Sequence, residues 1–69
     1  MTEREVRAAL RHVAHEAKID VGRCTAVVDT RMGFIDVHIA EATEDDCTRF
    51  VVEAYKLLPA TIHIQATPR

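Results

Sequence analysis

Four histidines, two cysteines and eleven carboxylates are present, and their spacing limits the chemistry open to this chain. His38 and His63, with Asp36 two residues before the first, are the best candidates for a metal site. Two imidazoles and one carboxylate on one surface hold a divalent transition metal with positions left open. No pair among them has a dedicated ligand spacing, so the expectation is ordinary surface or interface histidines, with no metal and no other cofactor. His12 and His15 precede Glu16 instead of enclosing it, so the helical zinc motif H-E-x-x-H is absent. His12 and Glu16, four apart, read as an exposed pair. Cys24 falls in an apolar run, where a thiol behaves as a small hydrophobe. Cys47 opens a helix whose dipole favours thiolate, but Glu44, Asp45 and Asp46 oppose that charge. The sequence shows no phosphate loop, G-x-S-x-G, zinc-finger or EF-hand spacing. No catalytic residue is expected.

Charge supplies the second group of candidates. Arg4, Arg7 and Arg11, then His15 and Lys18, recur at helical spacing as a basic edge, and Glu41, Glu44, Asp45 and Asp46 cluster as an acidic one. The plain reading is a solvated helix face plus compensation of a helix N-terminus. The functional reading is a pair of docking patches that orient a charged partner. Nine basic against eleven acidic residues give a net charge of -2, which argues against a nucleic-acid binder. For base stacking, only Phe34, Phe50 and Tyr55 are available.

These side chains must be positioned by a small number of elements. Sixty-nine residues, 48% of them apolar, make one domain over 1–69 with a small core. Thr2-Glu3-Arg4-Glu5 is a capping box, and Val6, Ala9, Leu10, Val13 and Ala17 form an apolar stripe on a helix ending near Ala17. Lys18 to Val28 is rich in β-branched residues, with Gly22 predicting either a bulge or a strand that starts at Arg23. Asp29 to Gly33 reads as a hairpin loop in which Gly33 takes positive φ. Phe34 to Ala40 alternates, with Ile35, Val37 and Ile39 on one face. Thr43 caps a second helix whose buried stripe is Cys47, Phe50, Val51, Ala54, Leu57 and Leu58, and Pro59 stops it. A last strand runs from Ala60 to Thr67.

The order α-β-β-α-β predicts an α+β two-layer sandwich, two helices on one face of a three-stranded sheet. No apolar run approaches the roughly 18 residues of a membrane span, and the charged first residues are not patterned as a signal peptide. A cytoplasmic protein is expected.

Val6-Arg7-Ala8-Ala9-Leu10, Gly33-Phe34-Ile35-Asp36-Val37, the Thr43 cap and Leu57-Leu58-Pro59 resemble the BON domain, a small bacterial module of the same element order. Two glycines usual in that family fall at Ile39 and Ala60 here. The resemblance implies binding of phospholipid or of other proteins, without catalysis. Ile19-Asp20-Val21-Gly22 before a hairpin, and Cys47 at the start of helix two, are similar to a family of iron–sulfur cluster assembly. There proline follows the cysteine, where this chain has Thr48.

With both helices on one side, Thr25, Val27, Phe34, Asp36, His38, Thr61, His63 and Gln65 are expected to project from the other. The expected function is a binding module that forms a homodimer or docks a protein partner through that face. Val27, Phe34, Asp36, His38 and His63 would make the contact, while Arg4, Arg7 and Arg11 orient it. The alternatives are a metal- or cluster-handling protein using His38, His63 or Cys47, and an inhibitor docking on a larger complex.

Overall fold

The computed structural model describes residues 1–69. Helix α1 spans Glu3–Glu16, a 3-10 turn spans Val21–Arg23, strand β1 spans Cys24–Asp29 and strand β2 spans Phe34–Ile39. Helix α2 (Glu44–Leu57) and strand β3 (His63–Pro68) complete a two-layer α+β sandwich in the order α-β-β-α-β.

Both helices open on reciprocal capping boxes. Thr2 Oγ1 accepts from the Glu5 amide at 3.2 Å and the Glu5 carboxylate accepts from the Thr2 amide at 2.9 Å. Those bonds hold the Glu5 carboxyl below its ordinary value. Thr43 and Asp46 repeat the arrangement at α2, with Asp46 in the role usually given to glutamate.

The exit from α1 is less comfortable. The Ile19 amide reaches back to the Ala14 carbonyl at 2.8 Å and the Lys18 amide to that of His15 at 3.1 Å. This is a Schellman ending, and it puts Lys18 at φ 60 where glycine is usual. Ile19 beyond it turns into the core.

Asp20 then resolves the ambiguity around Gly22. Its side chain accepts from the Gly22 amide at 2.9 Å and starts the 3-10 turn. There is accordingly no bulge, and β1 begins at Cys24 instead of Arg23.

The sheet order is β1-β2-β3, with β1 and β2 antiparallel and β2 and β3 parallel. Helix α2 is the crossover that a parallel pair requires. Gly33 takes φ 67 as expected, and a Cβ there would lie 3.1 Å from the Thr61 carbonyl oxygen. The last strand starts three residues later than its alternation suggests. Pro59 to Ile62 form a turn closed by the Ile62 amide on the Pro59 carbonyl, so Thr61 belongs to that turn and not to the sheet.

Phe50, Ile35, Ile39, Val6, Val13 and Val37 are the largest fully buried side chains. Cys47, Phe50, Ala54 and Leu58 make the inward stripe of α2. Leu57, expected in that stripe, is exposed and Val51 is half-buried. Leu58 is extended and occupies the core, leaving Leu57 on the outside of the last turn.

The open sheet face as a candidate interaction surface

Because side chains alternate across a strand and the register is fixed, the uncovered face holds three cross-strand rows. They are Thr25–His38–Thr67, Val27–Asp36–Gln65 and Asp29–Phe34–His63. Thr67 thus takes the place that the sequence reading assigned to Thr61.

Two local structures occupy this surface. At one end the Phe34 and His63 rings stack, with centroids 5.6 Å apart and planes at 23°. Val27 lies diagonally across from Phe34, within reach of a large ring. Val27 is 60% exposed and Phe34 37%, so this apolar diagonal faces water. At the other end, His38 Nδ1 lies 2.9 Å from Thr67 Oγ1, and His38 Nε2 lies 3.4 Å from Asp36 Oδ2. Both imidazole nitrogens therefore have a polar neighbour, which fixes the ring. Asp36 Oδ1 is buried without a hydrogen-bond partner, an acceptor left over on the face.

The same register separates the two histidines that metal chemistry would need together. His63 pairs with Phe34, and His38 pairs with Thr67. The imidazoles are offset by four residues of β2, roughly 13 Å along the strand. They are not the side-by-side pair that neighbouring strands first suggest. No three His, Cys, Asp or Glu groups converge as metal ligands.

Cys47 is buried, and burial, then Asp46 and Glu44, push its thiol up from the ordinary value. Desolvation also raises Cys24, although Arg23 opposes the shift. Neither environment favours the reactive thiolate of a nucleophile. His12 and Glu16 form the expected exposed pair, at 3.6 Å.

Arg4, Arg7 and Arg11 lie in the helical layer, away from Phe34 and His38. Arg7 Nε is 3.1 Å from Glu3 Oε2, and Arg7 also donates to the Ala26 carbonyl on β1 at 3.2 Å. Arg7 and Arg11 line a half-open groove of about 170 Å³ with Leu10, Val21, Cys24 and Phe50 among its walls. The basic edge is a second surface and not the rim of the first.

Arg23 has a role that sequence reasoning missed. Its guanidinium donates to the Ala40 and Glu41 carbonyls at 2.8 and 2.7 Å, holding a turn in which Glu41 sits at φ 57. Nothing in its local sequence marks it, since both acceptors are backbone atoms brought close only by strand pairing.

No protein-family model matches the chain, and comparison with curated proteins and with solved structures finds no match either.

Proposed function

We propose that this chain is a non-enzymatic binding module that engages a protein partner through its open sheet face. The observation behind this reading is the Phe34–His63 stack, an ordered aromatic pair exposed on the uncovered side of the sheet. An aromatic anchor already held in place loses little conformational freedom on binding. Fixed polar groups at His38 and Asp36 add direction to the contact. The fold is consistent with a BON-like module, and that resemblance points the same way.

Size constrains the partner. Three strands about 4.8 Å apart and six residues long present roughly 300 Å². A stable complex covers about 800 Å² on each side. The face therefore anchors the contact and a partner extends past its rim. A second copy meeting face to face is the simplest such partner.

Substitution Phe34→Asp tests the reading. Light scattering over a concentration series, together with affinity capture from the source cells, compares this variant with the unmodified chain. The variant should keep its circular dichroism and lose association, either with itself or with a captured protein that rebinds the unmodified chain when purified. Association that survives the charge on this face defeats the reading. Unfolding of the variant would show that Phe34 belongs to the core and would also defeat it.

A further inference from the structure

The outer edge of β3 is bare in a way that the opposite edge of the sheet is not. The His63 amide donates to Gly33 and the Arg69 amide to Ile39, so odd-numbered residues of β3 turn their backbone groups toward β2. By the alternation of a β-ladder, Ile64 and Ala66 turn both N–H and C=O outward, and Pro68 turns its C=O outward. Proline has no N–H to lose, and an edge position tolerates it for that reason. Ile64 is itself only 3% exposed, so the groups open to a partner are the Ala66 N–H and C=O and the Pro68 C=O.

Beside them runs a groove of about 500 Å³ between α2 and β3. Val51, Val52 and Tyr55 form its helical wall, Ala66 and Pro68 its strand wall, and Glu44 closes one end. Val52 and Tyr55 are 49% and 50% exposed. They contribute nothing to the inward stripe of α2, which is complete without them.

We propose that this groove binds an extended peptide segment of another protein, which pairs antiparallel with the Ala66–Pro68 end of β3 as a short fourth strand. A strand is the complement of alternating free N–H and C=O groups, and main-chain bonds supply affinity in this mode of recognition. Side chains on the helical side of the added strand meet Val51, Val52 and Tyr55, so aliphatic residues at every second position fit there. Helix α2 begins beside the Pro68 end of β3. An antiparallel segment therefore brings its own N-terminal end to Glu44, where a lysine or arginine complements the carboxylate. The site is separate from the open sheet face and does not rest on that proposal.

A phage-displayed library of random decapeptides is the probe. Selection on the intact chain should enrich peptides that alternate aliphatic residues and carry a basic residue near the N-terminal end. A synthetic peptide from that pool should shift and protect the Ala66 amide in NMR hydrogen exchange. Val52→Asp, or Tyr55→Asp should the first variant fold poorly, should weaken it about tenfold or more. Phe34→Asp should leave its affinity unchanged, which separates this site from the open face. The proposal fails if nothing is enriched, if selected peptides bind both α2 variants equally, or if the protected amides lie on β1. A free chain that is already dimeric, with the Ala66 amide protected, would put a second copy on this edge and also overturn it.

Discussion

At the α1–β1 flank, a helix side chain crosses to the strand edge and donates to the Ala26 carbonyl; at the α2–β3 flank, none does. The Cys24 amide, which also faces outward on β1, is taken by the Val21 carbonyl of the 3-10 turn. Helix α1 has no large apolar side chain exposed within it, whereas α2 exposes Val52, Tyr55 and Leu57. One flank is thus guarded in part by a charged side chain and two hydrogen bonds, and the other keeps exposed apolar side chains beside a strand edge with no partner of its own. An unprotected strand edge invites pairing with other chains. The two flanks show how a short chain can guard one edge in part while leaving the other without internal partners.

The largest effect should come from asking which side of α2 holds the fold together. Phe50→Ala removes a ring that is 1% exposed and should cost about 3–5 kcal/mol. That is comparable with the whole stability of a domain this small, roughly 3–10 kcal/mol. Tyr55→Ala, on the outward side, should cost less than about 1 kcal/mol by urea denaturation. Equal losses would place the exposed wall within the core and erase the contrast between flanks.

A smaller effect should follow from unmasking β1. Arg7→Ala deletes the bond to Ala26 and the ion pair with Glu3, a loss of about 1 kcal/mol. The clearer readout is association, because light scattering should show new concentration-dependent species that the unmodified chain lacks. An unchanged mass would mean that Arg7 does not guard the edge.

The smallest effect concerns how the two helices end. Helix α2 gives way to an extended Leu58 before Pro59, but α1 closes through Lys18 in the left-handed region. Lys18→Gly should relieve that strain and raise stability by about 0.5–1 kcal/mol. A rise in Tm of several degrees checks it, and a fall would show that the lysine side chain has a role of its own.

Much of the architecture was legible because each element carried its own signal. The T-x-x-E box and the stripe from Val6 to Ala17 marked α1, Gly33 marked the hairpin, and Pro59 marked the end of α2. What local pattern could not supply was register. His38 and His63 occupy suitable strands, yet their offset depends on where β3 begins, and the turn from Pro59 to Ile62 delays that beginning. The same turn removed Thr61 from the face, while Thr67, which alternates with His63 and Gln65, stands on it beside His38. Leu57 was misassigned because the next residue, Leu58, leaves the helix in an extended conformation and fills the core position that helical spacing offers to Leu57. Arg23 and Arg7 act on backbone carbonyls, which are identical in every sequence and show nothing of which ones will lie near. The open-face residues Val27, Phe34, Asp36 and His38 were readable because strict alternation along β2 survives any choice of neighbour.

The bond between the His63 amide and the Gly33 carbonyl has a kinetic consequence. Strands β1 and β2 meet across a short loop, so their pairing closes at small entropic cost. Strand β3 pairs with β2 across the whole of α2, between residues 33 and 63, and closing a longer loop costs more conformational entropy. Pairings distant in sequence slow folding. The hairpin is therefore the natural early structure and β3 the late one, with Gly33 serving both. The same route run backwards predicts that β3 leaves the sheet first on unfolding.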